Sequence, residues 1–376
     1  VAIEADDWNE QACRLKPTAI NAAIINSFLA RKQAGAEAAA LELNMKSTFL
    51  TAMDIRSHIL GERPRDFLEF MRKWVERGKE EMSIGTTNKR NVVLNKLVKY
   101  CHGKPLYFDE ITVRFVREFQ LYLKEQLGNH TNTIHSNLKV MRKALEEAIS
   151  EDLLPFEKNP FNRIRLKSQK TFREFLLDEE LSKIEDLPLK PGSMLDHHRN
   201  LYIFSAYTGG IRISDLLMMR WRNFNGEHLY FQIRKTQEEL SIRLPEQSKQ
   251  ILNYYKEIAT SRQGTIHPDT FIFPLIKLRP KETDRKAIHN AISSATAYTN
   301  KNLRKISALA GITKHLSFHT ARHSWAMRAL QKGMRIEYVS KLMGHASVKH
   351  TEVYAKILNA ELDKAMEVFN QSKNAG

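Results

Sequence analysis

The sequence predicts a mainly α-helical protein with a small antiparallel β-sheet, organised as a helical domain followed by a mixed α/β domain. Three observations carry that expectation. Apolar residues recur at helical spacing, as in RDFLEFMRKWVERGKEEM, where Phe67, Phe70, Met71, Trp74 and Val75 share one face. Strand-like alternation is found in LYFQIRKTQEELSIRLP, which reads as a hairpin turning around Thr236 to Glu239. Between these regions PFEKNPFNRIRLKSQKTFREF carries two prolines, many basic residues and no helical period, and so reads as an interdomain linker. At 376 residues the chain exceeds the usual size of a single core.

Taken in order, residues 1–62 read as a helical leader. EADDWNEQACRLK is followed by AGAEAAALELNM, whose alanines favour helix. Residues 63–154 form a helical domain. Its first helix is the stripe quoted above, its second follows a capping Thr86-Thr87, its third follows Asp109, and its fourth is HTNTIHSNLKVMRKALEEAISEDLL. Residues 155–174 are the linker. Residues 175–376 form the second domain, with helices in LLDEELSKIEDL, around Arg199 to Met219, from Gln247, and from Ala287 to Leu309, the hairpin lying among them.

The stretch SFHTARHSWAMRALQKGMRIEYVSKLMGHASVKHTEVY then places Ser317 to cap a helix from Phe318 to Lys332, with Gly333 stopping it. A second helix, apolar at Ile336, Val339, Leu342 and Met343, ends at Gly344 and delivers His345; Tyr354 sits in a third. The tail LNAELDKAMEVFNQ carries Leu358, Leu362, Ala365, Met366 and Phe369 on one stripe.

Charge narrows the function classes. The net charge is +16, and it is uneven: residues 1–62 are net −2, residues 63–173 net +9 and the remainder net +9. Two basic domains point to nucleic acid only when chemistry on phosphate accompanies them, because charge runs are ordinarily solvated faces. No apolar run is long enough for a membrane span. Cys13 and Cys101 are too few for a disulfide framework, behave as small apolar residues, and agree with a cytoplasmic location. Val1 is not an initiator methionine, so the chain is expected to be a fragment or processed form, and no signal peptide is visible in it.

The chemistry rests on a constellation. His319 and Arg322, three apart, project from one helical face, and His345 and Tyr354 follow within the same short region. Each alone has a plain structural reading: a histidine is commonly a bonded core or surface residue, and a tyrosine a core aromatic with a wet hydroxyl. His319 and His323 are spaced like a zinc pair, but the glutamate of the protease motif is absent, so no metal is expected.

In order and spacing, His319-Thr320-Ala321-Arg322, Gly344-His345 and Tyr354 resemble the C-terminal signature of the tyrosine recombinase, or phage-type integrase, family. YTGGIRISDLLMMRW adds Arg212 and Asp215, which look like that family's first arginine and its acidic buttress. Its hairpin lysine is best matched by Lys235, with Arg234 and Arg243 as weaker candidates. One departure is Gly209-Gly210-Ile211, a residue longer than the family's usual glycine-to-arginine turn. The first domain resembles the family's core-binding domain, with Lys89, Arg90, Thr133, His135, Asn137, Lys139 and Arg142 as candidate contacts to the DNA backbone. The leader looks like the end of an arm-type DNA-binding domain of integrases from Bacteroides-type mobile elements.

The resemblance implies a site-specific recombinase of double-stranded DNA working through a 3′-phosphotyrosyl intermediate. Arg212 and Arg322 would offer paired donors to the phosphate oxygens, which suits guanidinium geometry. His319 and His345 would add hydrogen bonds, His319 would also accept the proton of the nucleophile Tyr354, and Lys235 would protonate the departing 5′ oxygen. Exchange of one ester for another needs no cofactor, ATP or metal. The implied partners are a homotetramer on paired sites and DNA-bending accessory proteins, with the tail as a helix exchanged between protomers. Two other readings stay open on the sequence: a type IB topoisomerase, and a non-catalytic DNA-binding regulator.

Overall fold

In a computed structural model that describes residues 4–46, 66–169, 173–279 and 283–355, the chain separates into two units, Val1–Lys170 and Thr171–Gly376. The first begins with strands β1 (Trp8–Asn9) and β2 (Arg14–Leu15), paired antiparallel, and helix α1 (Ala22–Lys46). The Asn26 amide closes this ribbon by accepting from Leu15 N and donating to Leu15 O, each at 2.9 Å, as a neighbouring strand would. A helical leader was expected here; strands of two residues are too short for alternation to register in a sequence.

The helical bundle follows: α2 (Phe67–Glu81), α3 (Ile84–Tyr100), α4 (Val113–Glu125) and α5 (Thr131–Ser150). Side-chain oxygens start three of them. Asp66 accepts from Leu68 N at 2.8 Å, Ser83 from Thr86 N at 3.3 Å and Thr112 from Phe115 N at 3.2 Å. The cap of α3 is therefore Ser83, and Thr86 and Thr87 lie inside its first turn rather than before it. Phe67 and Met71 of the predicted stripe pack with Leu97, Phe119, Leu123, Met141 and Leu145, all fully buried. Each such side chain contributes about 1.5–3 kcal/mol of apolar burial. The first part of the expected linker joins this core: Phe161 is buried, Ile164 and Leu166 pack against it, and Asn132 and Gln169 exchange hydrogen bonds at 3.0 and 2.8 Å. Apolar residues without helical spacing can still fill a core from a loop.

The second unit is built around α7 (Met194–Tyr207), which packs against α6 (Asp178–Glu185), α9 (Glu246–Gln263), α10 (Arg285–Leu309) and α11 (Phe318–Gln331). Surrounded in this way, α7 is buried along nearly its whole length, including Leu201, Tyr202, Ile203 and Phe204. Tyr202 is fully buried, and its hydroxyl is partnered by Thr320 Oγ1 at 2.9 Å. Between α7 and α9 lie the short helix α8 (Ile213–Leu216) and the hairpin β3 (His228–Gln232) with β4 (Glu239–Arg243), in which Tyr230 faces Ser241. After α11 come α12 (Ile336–Leu342) and α13 (Glu352–Ala355). The apolar tail stripe from Leu358 to Phe369 lies outside the described residues. Among the described residues no helix is long and apolar enough to cross a membrane.

Candidate active site

The site begins with a turn only glycine can make. Gly209 and Gly210 both have positive φ, +62° and +60°, and a Cβ on Gly210 would lie 3.1 Å from Arg322 Cα. This is the stretch that is one residue longer than the resemblance leads one to expect. The Gly210 carbonyl left facing α11 accepts Arg322 Nη1 at 2.7 Å. The same turn delivers Arg212 to the start of α8, and its Nη2 donates to Gly344 O at 3.0 Å. Asp215, 5% exposed, accepts the Arg234 amide at 3.1 Å and so ties the hairpin to the turn.

The α11 helix starts at Phe318 with Ser317 at its N-cap, but the Ser317 side chain makes no cap bond. Asn300 of α10 supplies that acceptor to Phe318 N at 2.8 Å, a substitution from a distant element that sequence cannot register. Arg322, 3% exposed, also donates through Nη2 to Met343 O. Two guanidiniums thus bond to successive carbonyls of the turn that ends α12. Gly344 in that turn has φ +59°, and a Cβ there would come within 2.1 Å of Ile233 Cδ1. His345 follows, its Nδ1 2.8 Å from the Thr351 hydroxyl.

Tyr354 is 1% exposed and packs with Trp325, Met327, Val339 and Met343. Its hydroxyl lies 2.6 Å from His323 Nδ1 and accepts from Arg173 Nη1 at 3.4 Å. His319 is one helical turn away: its ring meets the His323 ring edge-on, centroids 4.5 Å apart. The tyrosine contact expected of His319 is therefore made by His323. The two stand four positions apart, so both sit on one face of α11, and the chain's path after His345 brings the phenol to the second.

Positive charge dominates the electrostatics. Surrounding protein first, then Arg322, Arg173, Arg212 and Lys235, lower His319 to a pKa of about 4, although the residue as a whole is exposed. Burial, then neighbouring histidines and arginines, lowers His323 to about 3. Burial followed by Arg322 and Arg212 does the same for His345, again to about 3. All three are neutral rings at neutral pH. Burial raises the Tyr354 phenol above its usual value, while the Arg173 bond and the charges of Arg173 and Arg322 oppose that rise. Burial and then Arg212 lower Arg322, with Asp215 among the offsetting charges. Asp215 itself is raised by burial despite its bond to the Arg234 amide and three nearby arginines. A cluster of cations with so little acid among them favours an anion.

The structure thus brings Arg212, His319, Arg322, His345 and Tyr354 together, with Lys235 on an exposed hairpin turn close enough for its charge to bear on His319. Sequence reasoning missed Arg173 and gave His323 no role at the tyrosine. The candidate DNA contacts divide. Lys89, Thr133 and Lys139 are exposed, His135 is half-buried, and Arg142 pairs with Glu146 at 2.9 Å. Arg90 and Asn137 differ from the others: both are 6% exposed, so neither lies open to a phosphate in this structure. The Arg90 guanidinium lies 3.4 Å from the centre of the Trp74 ring, while Asn137 accepts from Lys96 Nζ at 3.4 Å. Among the described residues no three His, Cys, Asp or Glu side chains are grouped as metal ligands.

Comparison with known proteins finds matches over both units. Residues 174–361 match the model of the phage integrase family, and residues 66–167 match the phage integrase SAM-like domain. The tyrosine recombinase XerD of Oceanobacillus iheyensis is 25% identical over 81% of this chain and 97% of its own. XerA of Pyrococcus furiosus, also described as a tyrosine recombinase, is 26% identical over 55% of this chain and 66% of its own. Among solved structures, the Tn1549 transposon integrase in complex with transposon right end DNA superposes with a TM-score of 0.59 at 17% identity, covering 83% of this chain and 100% of that one. A lambda integrase tetramer bound to a Holliday junction gives 0.59 at 16% identity, over 92% and 95%.

Proposed function

The chain belongs to the phage integrase family, and from that premise we propose that it is a tyrosine-type site-specific DNA recombinase. It cuts and rejoins double-stranded DNA through a 3′-phosphotyrosyl intermediate. The observation that supports this most is the convergence of Arg212 and Arg322 on the adjoining carbonyls of Gly344 and Met343, with the Tyr354 hydroxyl on the same helix face as Arg322's neighbour His323. A phosphodiester held there would have two guanidiniums on its non-bridging oxygens, where negative charge grows as the tyrosine attacks.

The steps follow from that placement. Tyr354 Oη bonds to phosphorus, and the bond to the 5′ oxygen breaks. Lys235, on the mobile end of a long side chain beside the cluster, supplies the proton to that oxygen. His319 and His345, as neutral rings, donate hydrogen bonds to the phosphate. Because the ester is exchanged rather than hydrolysed, its free energy is kept in the protein–DNA bond, and a second strand's 5′ hydroxyl reverses the reaction.

Domain roles follow the same reading. Residues 63–154 clamp DNA, with Lys89, Thr133, His135, Lys139 and Arg142 touching the backbone, and residues 175–376 carry the chemistry. Four protomers act on paired sites, as the lambda integrase tetramer does on its junction. The test is trapping on nicked suicide duplexes taken from the ends of the encoding element. Wild-type protein is expected to form a covalent adduct that maps to Tyr354, and Tyr354→Phe to bind DNA without forming one. Adducts at another residue, or none with wild type on matched sites, would overturn the proposal. Joined recombinants from two sites, rather than relaxed plasmid alone, separate it from a topoisomerase.

A further inference from the structure

We infer that His323, and not His319, is the group that takes the proton from Tyr354, and that Arg173 steadies the phenolate that results; this rests on the recombinase reading above. The geometry is specific. His323 Nδ1 is 2.6 Å from the phenol oxygen, within the range of a strong O–H···N bond, whereas the His319 ring packs edge-on against the His323 ring with centroids 4.5 Å apart. Kept neutral by burial and by the arginines, His323 has a lone pair to offer at Nδ1 when its proton is on Nε2.

Arg173 reaches the same oxygen from a strap that is pinned to the catalytic helix. Leu176 N donates to Ser324 Oγ at 2.8 Å, Lys314 Nζ donates to Phe175 O at 3.1 Å, and Phe175 packs against the cluster that holds Tyr354. The residue after His323 in the HTARHSW stretch therefore anchors the strap that carries the second ligand of the nucleophile. Burial is the main reason His323 is a weak base, and when a phosphodiester fills the cationic cluster its negative charge offsets the arginines that add to that effect. The balance is closed: Oη–P forms, the Oη proton passes to Nδ1, P–O5′ breaks, and the 5′ oxygen takes its proton from Lys235. Religation runs the same transfers backwards.

Single-turnover adduct formation on a suicide duplex, from pH 6 to 9.5, tests this with His323→Asn and His323→Ala. Asparagine can keep the hydrogen bond but cannot accept the proton. Both variants are expected to be slower by about 10²-fold or more near neutral pH, to bind DNA as wild type does, and to recover by about tenfold per pH unit as hydroxide substitutes for the imidazole. The defect should persist on a duplex with sulfur in the 5′ bridging position, whose departure needs no proton, whereas Lys235→Ala should recover there. Arg173→Ala should shift the rate profile of wild type to higher pH, and Arg173→Lys should partly restore it. Restoration by asparagine to within threefold of wild type, rescue of His323→Ala by the sulfur substrate, or a defect independent of pH would each overturn the assignment. Failure of wild type to form the Tyr354 adduct would instead overturn the parent reading, so the two are told apart.

Discussion

Among the described residues, Arg90 and Arg322 are buried to nearly the same degree, at 6% and 3% exposure, and they do opposite things. Arg90 lies flat on Trp74, donates to Trp74 O at 3.4 Å, and feels Glu147 and Glu81 nearby. Its charge is answered within its own bundle. Arg322 bonds only to main-chain carbonyls in the described structure and has Arg212 as its strongest charged neighbour. Asp215 offsets only part of its charge, and the rest awaits something negative. Burial alone therefore does not mark a functional arginine; the sign of what surrounds it does.

Substitution should drive the two apart. Arg322→Lys is expected to lower the rate of DNA cleavage by roughly 10²-fold or more, since an ammonium cannot bridge two carbonyls and still present paired donors to phosphate. Near-native cleavage by that variant would erase the distinction. Arg90→Lys should leave cleavage within about threefold of wild type but reduce stability by about 1–2 kcal/mol, the scale of a desolvated cation–π contact. Chemical denaturation measures the second effect, and a variant as stable as wild type would show that the Trp74 stacking contributes little.

Protons probe the contrast next. His198, His319, His323 and His345 all belong to the second unit and titrate at about 4, 4, 3 and 3 in the folded protein. In the unfolded chain they would take up protons near pH ~6.5. The unfolded state thus binds more protons between those values, and stability should fall as pH drops from about 6.5 towards 4 while staying flat above neutrality. Thermal midpoints across pH 4.5–8 check this, and a bound DNA duplex should flatten the slope by answering the arginines. A midpoint that rises on acidification would contradict it. The smallest effects are expected of Lys89→Ala and Lys139→Ala, each lowering the salt dependence of DNA binding by about one unit of slope without changing sequence preference.

Much of the site was legible because its chemistry is written in short, ordered motifs: the two arginines, His345 and Tyr354 were all readable from residue type and spacing. The errors share one physical origin, which is that a periodic apolar face admits polar members. Arg90 lies three and four residues before Val93 and Leu94, and Asn137 lies between Ile134 and Met141, so both fall on buried stripes. On such a stripe a polar side chain is buried by its position, whatever its polarity. His323 carried a comparable signal, four residues from His319, but which of the two meets Tyr354 depends on the chain's return after α12. Arg173 and the cap from Asn300 had no local signal at all, because each acts on residues more than seventeen positions away.

The interlocked arrangement of Arg212, Arg322 and the two glycine turns has a further effect on the life of the molecule. Each guanidinium is seated by backbone belonging to another segment, Arg322 by Gly210 and Met343 and Arg212 by Gly344, so no segment can complete its part without the others. A nascent, clipped or partly melted chain would hold pieces of the site but not a working one. For a protein of a DNA strand-exchanging family, such all-or-none assembly is a safeguard that requires no inhibitor.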